Sequence, residues 1–261
     1  MQTGYFPYDS HSIYFEIHQD EFLSSNEPVV FLHEGLGSID QWKSFPHRLM
    51  DSEKAAYLIY DRPGYGKSSP VKQREADYLH READYLMELA KKLSIDTKLR
   101  IFGHSDGATL ALLFAARYPQ ACESIVIEAP HVILEDITIR GVKMAIDEWE
   151  NGSLRKRMKK YHGNNTDSMF SSWASFWSNP QHYSWNILEE MKSITCPVFF
   201  IQGERDHFGS FRQGSLIEES IAGSYAELLL DDCGHIPHLE QQEIIVSEVQ
   251  KFWQKSRFEK H

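Results

Sequence analysis

Residues 99–117, LRIFGHSDGATLALLFAAR, pass from an apolar run through Gly103-His104-Ser105-Asp106-Gly107 into a helix rich in alanine and leucine. A strand, a G-x-S-x-G turn and a helix in immediate succession leave few ways to fold. The middle residue of such a turn is held in a strained conformation. The positions two places either side admit nothing bulky, which accounts for Gly103 and Gly107. The turn lifts the Ser105 hydroxyl above the carboxyl end of a sheet and leaves backbone N–H groups free at the start of the next helix, where an oxyanion can bind. G-x-S-x-G alone arises by chance, so the strand Leu99–Phe102 before it and the helix Ala108–Arg117 after it carry the weight. Asp106 as nucleophile would need small residues at 104 and 108, and position 104 is histidine.

Apolar runs and helical patterns alternate along the rest of the chain. Gly4–Tyr8 and Ser12–His18 read as a hairpin around Asp9-Ser10. Short strands are expected at Pro28–His33, Ala55–Tyr60, Ser124–Ile127, Pro197–Ile201 and Glu227–Leu230. Helices are expected at Asp40–Met50, Glu75–Leu93 and Gln241–Phe252. The second contains READYLH followed at once by READYLM, two heptads too few for a coiled coil, read as one helix with a Tyr/Leu stripe on the sheet. Strands apolar throughout and separated by helices imply an α/β fold with a mostly parallel sheet covered on both faces. Between Glu128 and Pro197 the alternation stops: helical patterns and many aromatics, with no strand pair, read as a lid inserted over the sheet. The expected division is a core of residues 1–131 and 192–261 and a helical cap of residues 132–191. At 261 residues, one core with an insertion is preferred to two domains.

Four further motifs follow the order of the α/β-hydrolase family, which the chain resembles. Phe31-Leu32-His33-Glu34-Gly35-Leu36-Gly37-Ser38 is similar to its H-G-G-P-G loop. Asp61-Arg62-Pro63-Gly64-Tyr65-Gly66-Lys67-Ser68 is similar to its D-x-x-G-x-G-x-S loop. Gly203-Glu204-Arg205-Asp206 resembles the acid turn, and Cys233-Gly234-His235 the final G-H. The resemblance implies an eight-stranded, mostly parallel sheet, Ser105 as nucleophile, His235 as base and Asp206 as the acid that orients it. It implies an oxyanion hole made by the N–H groups of Gly35 and Asp106. One departure stands out: Glu34 occupies a position usually held by glycine, which leaves Leu36 as an alternative donor. Glu34 is expected to turn aside to a buried partner, with a catalytic role as the alternative.

His238 is a competing base and Glu128 a competing acid, because some relatives carry the acid at the end of that earlier strand. Asp61 and Arg62 are expected to form a structural ion pair, and Cys233 to be a small apolar residue without a role. In the lid, Trp173, Phe176 and Trp177 fall on one helical face, as lid core, pocket lining or both, and Leu36 joins the lining. Leu154–Tyr161, LRKRMKKY, is the one basic cluster; it reads as a solvated helix face, with a landing patch for an anionic substrate or acidic carrier as the alternative.

The net charge of −11 disfavours nucleic acid and anionic membrane surfaces as partners. Nothing resembles a secretion signal or a membrane span, and the odd cysteine count of three lacks metal-ligand spacing, so a reducing cytoplasm is expected. No cofactor or metal motif is present. The expected partner is a small-molecule ester or related acyl substrate, and a homodimer is admitted. The expected activity is that of a serine carboxylesterase. Alternatives are a carbon–carbon bond hydrolase of dienoate ring-cleavage products, using Arg155 or Arg157 for the carboxylate; a carrier-protein methyl-ester hydrolase; and a ligand receptor without turnover.

Overall fold

The computed structural model describes residues 1–23 and 27–258. Among them, eight strands form one sheet: β1 (Gln2–Tyr8), β2 (His11–His18), β3 (Val29–Leu32), β4 (Tyr57–Tyr60), β5 (Leu99–His104), β6 (Cys122–Glu128), β7 (Val198–Gly203) and β8 (Tyr225–Leu230), in the order β1-β2-β4-β3-β5-β6-β7-β8. β2 runs antiparallel to both of its neighbours, and the other pairs are parallel.

The central strands are buried on both faces, as the unbroken apolar runs of β3 and β4 require, and β5 also buries Arg100 and His104. Alternate residues feed two layers. Val30 and Leu32 pack beneath α2 (Tyr78–Lys92) and α3 (Asp106–Arg117). Val29 and Phe31 pack against α1 (Phe45–Met50) and, through Ile245, Val249 and Trp253, against the C-terminal helix, numbered below. The edge strand β8 is exposed at Ala226, Glu227 and Leu229 and buried only at Leu230.

Between β6 and β7 lie α4 (Asp136–Asn151), α5 (Leu154–His162), α6 (Thr166–Trp177) and α7 (Leu188–Met191). A bridge between Ile133 and Asn186 ties the two ends of this segment together. The chain then continues through α8 (Arg212–Ser220), α9 (Pro237–Glu240) and α10 (Gln242–Phe258).

Three local expectations differ from the structure. The stretch expected as one helix over Asp40–Met50 is a 3-10 turn, Ile39–Trp42, then α1. Lys43 takes a positive φ of 54° between them, and Pro46, with no N–H to donate, sits where a new first turn begins. The repeat is not one helix either. α2 starts at Tyr78, so Arg74–Asp77 of the first copy precede it, and the buried Arg74 side chain reaches Ser172 Oγ and the Pro63 carbonyl instead. Finally, Arg62 does not pair with Asp61. It pairs with Glu82 at 2.7 Å, and Asp61 accepts the N–H groups of Ile39 and Lys67.

Candidate active site

Between β5 and α3 the chain reverses at Ser105, with φ 55° and ψ −118°, a region that L-residues avoid. The two flanking glycines are required by contact. A Cβ on Gly103 would lie 2.3 Å from the Gly107 carbonyl oxygen, and one on Gly107 would lie 2.0 Å from that of Leu32. Ser105 N–H donates to the Glu128 carbonyl, which fastens the turn to β6.

The loop after β8 brings His235 to this turn. Its Nε2 lies 3.0 Å from Ser105 Oγ, and its Nδ1 lies 2.8 Å from Asp206 Oδ2. Asp206 follows β7 and is buried, accepting Phe208 N–H on Oδ1 and Gln202 Nε2–H on Oδ2. Burial alone would raise its carboxyl. The charge and hydrogen bond of His235, with the Phe208 N–H, outweigh burial and hold it well below the usual carboxylate range. With an ionised acceptor at Nδ1, the neutral imidazole carries its proton there and presents a lone pair to Ser105.

The alternatives are placed elsewhere. His238 lies in α9 and is buried, with Nδ1 2.5 Å from Glu128 Oε2, while its own N–H donates to Glu128 Oε1. Glu128 is thus bound to His238 and not to His235. His104, Glu128 and His238 bring donor atoms within 4.8 Å of one another, the one such metal-sized cluster among the described residues. Those atoms are spent on each other and on neighbours: the two ring nitrogens of His104 meet Glu34 Oε2 at 2.9 Å and the His235 carbonyl at 2.7 Å. Cys233 is buried and free, as are Cys122 and Cys196.

Gly35 and Asp106 both border the site. The Glu34 carbonyl accepts from Arg62 Nη2 at 2.8 Å and from Gly37 N–H at 3.1 Å. In a trans peptide the N–H points opposite the carbonyl, so the Gly35 N–H faces away from Arg62. The Asp106 N–H belongs to the first turn of α3, which has no intrahelical acceptor for it. The Asp106 side chain is turned aside, accepting Tyr78 OH at 2.7 Å with Arg62 Nη2 at 3.7 Å.

Ser105 and His235 open into a cavity of about 900 Å³ walled by Leu36, Val142, Trp173, Trp177 and Phe208. The helical face expected to carry Trp173, Phe176 and Trp177 divides: the two tryptophans border the cavity, and Phe176 packs on Tyr78 and His182. Trp149 stacks on Phe170 and Trp185 abuts Trp177, both outside the lining. A second cavity, of about 270 Å³, lies behind Glu34 against His104 and His238 and does not reach Ser105.

α5 is amphipathic. Leu154 and Met158 face the large cavity, while Arg155 pairs with Asp167 and Arg157 with Glu148. His162, at its end, accepts Gly66 N–H on Nδ1 and donates from Nε2 to the Leu36 carbonyl. Asn165 donates to the carbonyls of Gly66 and Ser68. The glycine-rich loop 61–68 is therefore the seat on which this helical segment docks. Burial pushes His162 down to about 4, so it is the neutral imidazole this donor–acceptor pattern needs.

Two bordering residues were missed in the sequence. His131, three residues past β6, lies 6.2 Å from the His235 ring and is pushed down to about 4 by burial and then by His235; Phe208 lies 4.7 Å away. Position beyond the carboxyl end of a strand was the available signal for both.

A family model described as the alpha/beta hydrolase fold matches residues 27–156. A candidate 2-succinyl-6-hydroxy-2,4-cyclohexadiene-1-carboxylate synthase of Bacillus subtilis (strain 168) is 25% identical over 263 residues, covering 89% of this chain and 92% of that protein. The serine hydrolase BPHL of Homo sapiens is 24% identical over 222 residues, covering 82% and 75%. Among solved structures, one reported with carboxylesterases of the ammonia-oxidizing thaumarchaeon Nitrososphaera gargenis superposes with a TM-score of 0.80 at 17% identity, covering 99% of this chain and 100% of that one. Among the described residues, no helix is long and apolar enough to cross a membrane.

Proposed function

The chain belongs to the α/β-hydrolase fold superfamily, and from that premise we propose that it is a serine hydrolase of small, largely apolar esters, working through an acyl-enzyme. The observation that carries this reading is the hydrogen-bonded run Ser105–His235–Asp206 opening into a mostly apolar cavity.

Ser105 Oγ attacks the ester carbonyl carbon as its proton passes to His235 Nε2, and Asp206 stabilises the imidazolium. Negative charge on the former carbonyl oxygen is met by the N–H groups of Gly35 and Asp106, fixed before substrate arrives. Collapse expels the alcohol, which takes the proton from His235. A water molecule, deprotonated by the same histidine, then attacks the acyl-serine, and the carboxylic acid leaves as Ser105 regains its proton. The α4–α7 segment acts as the cap and supplies most of the cavity wall, which suits an acyl or alcohol group without charge.

Carbon–carbon cleavage of a dienoate is less well served. The carboxylate would need a basic or polar residue from this helical segment; Arg155 is paired with Asp167 outside the cavity and Arg157 with Glu148 at its rim, which leaves Lys143, exposed on α4, as the other cation on the lining. The intact serine–histidine–aspartate run also argues against a receptor without turnover.

The test is a series of p-nitrophenyl esters of increasing acyl length, with Ser105→Ala in parallel. Serine-dependent release that peaks at one length is expected. Equal release by Ser105→Ala would sink the nucleophile, and silence on every ester would reject the substrate class.

A further inference from the structure

Glu34 stands next to the Gly35 amide, His104 stands next to Ser105, and His104 touches the backbone of His235 itself. The three loops that carry the oxyanion donor, the nucleophile and the base are therefore joined through one side-chain pair. Glu34 Oε2 lies 2.9 Å from His104 Nδ1, and His104 Nε2 lies 2.7 Å from the His235 carbonyl oxygen. His104 is buried, and both its ring nitrogens face acceptors. An imidazole can donate from both nitrogens only as the cation, so the geometry itself requires imidazolium.

We propose that the Glu34–His104 ion pair is a positioning clamp for catalysis: it holds the Gly35 amide, Ser105 and His235 in one register, and it holds them fully only while His104 is charged. The proposal rests on the serine-hydrolase reading above.

The surroundings agree with a charged clamp. Burial works against the His104 cation, but the hydrogen bond and charge of Glu34, then the charge of Glu128 and the His235 carbonyl, raise it to about 9. Burial likewise opposes the Glu34 carboxylate, and His104 overrides it, with His235 and His238 adding to the effect, holding Glu34 at about 2. The groups facing His104 are Glu34 from the loop after β3, Glu128 from the end of β6, and the rings of His235 and His238 at 5.1 and 5.0 Å. The sign follows. The carboxylate is lost only below about pH 2, and the cation is lost as pH rises through about 9. Above that point one nitrogen holds a lone pair against an acceptor, and either the Glu34 link or the His235 link opens.

Substitutions separate the clamp from plain packing. Glu34→Ala removes it. Glu34→Gln replaces it with a neutral version: the amide N–H donates to His104 Nδ1, and neutral His104 still donates from Nε2 to His235. That variant has no ionised carboxylate to hold a proton on both ring nitrogens, so its geometry is indifferent to alkaline pH.

The experiment measures the rate at which a fluorophosphonate labels Ser105 between pH 6 and 10, with the site of labelling read by mass spectrometry. It needs no knowledge of the natural substrate. Glu34→Ala should slow labelling about tenfold or more, the cost expected when a supporting contact is lost and reacting groups shift by a fraction of an ångström. Glu34→Gln should restore labelling to within about threefold of the native rate below pH 8. The native protein should show a falling limb near pH 9 that Glu34→Gln lacks. Native labelling rates for Glu34→Ala, or the same alkaline limb in native protein and Glu34→Gln, would overturn the clamp. If Glu34→Ala does not fold, the Glu34→Gln comparison decides alone. Failure of the native protein to label at Ser105 would instead refute the serine-hydrolase reading.

Discussion

Replacing Asp206 with asparagine tests the acid more sharply here than in a site with fewer contacts, because its neighbours dictate how the amide must sit. Oδ1 accepts the Phe208 backbone N–H at 2.7 Å, and that donor cannot reverse. The asparagine oxygen must therefore take the Oδ1 position, which puts the NH₂ at Oδ2, 2.8 Å from His235 Nδ1. Gln202 donates to Oδ2 in the native site and has a longer 3.5 Å contact with the Gly209 carbonyl, but its Oε1 is buried without a partner, so the Gln202 amide turns over, gives up that longer contact and accepts from the new NH₂. Every group around position 206 then favours an imidazole that accepts at Nδ1 and carries its proton on Nε2. That tautomer points N–H at Ser105 Oγ and cannot take its proton.

The expected loss in kcat/KM is about 10⁴-fold, or about 5 kcal/mol of transition-state stabilisation, with the fold retained. The assay is steady-state hydrolysis of the best p-nitrophenyl ester from the series, with circular dichroism of both proteins. Glu128→Gln serves as the control, since Glu128 binds His238 and not His235. A kcat/KM for Asp206→Asn within about tenfold of native would refute the tautomer argument, and a 10⁴-fold loss in Glu128→Gln would move the acid to β6.

Two further outcomes follow from buried contacts. Arg62→Met leaves Glu82 buried without its 2.7 Å partner, and it removes one donor from the Glu34 carbonyl, which keeps the Gly37 N–H. The expected cost is about 3–5 kcal/mol, seen as a fall in Tm of about 10 °C by calorimetry; a Tm within about 2 °C of native would show that the pair adds nothing. Val142→Trp fills the cavity wall supplied by α4, so the preferred acyl chain in the ester series should shorten, and an unchanged length optimum would mean that the acyl group does not lie along α4.

Much of the fold was legible because its signals are local. Strands such as VVFL and YLIY can be covered only on both faces, and a serine between glycines two residues away on each side tolerates one turn. The boundaries that shifted did so for tertiary reasons. READYLH and READYLM are nearly the same heptad, yet Arg74 is buried against Ser172 and Pro63, while Arg81 faces solvent. Conversely, Glu75 is exposed, and Glu82 is buried on Arg62. Identical local sequence cannot encode that difference; it comes from what α6 and the glycine-rich loop place beside each copy.

The same limit explains the site. Ser105, Asp206 and His235 were legible as candidates because each sits in a short motif, and the structure brings the three within hydrogen-bond distance. Most of the partners set against them sit in no motif, and His104 sits in one only at its unspecified position. Gln202 lies inside a strand, Phe208 matters through its backbone N–H, and His104 owes its charge to a glutamate seventy positions earlier. Glu34 was the one visible sign: a carboxylate stands where glycine is usual in the family, and since its φ is not positive the backbone there does not need glycine. It turns aside to a buried partner, and that partner is the residue beside Ser105, in contact with the backbone of His235. An unusual side chain in a site loop is therefore informative in proportion to how many other site loops it reaches.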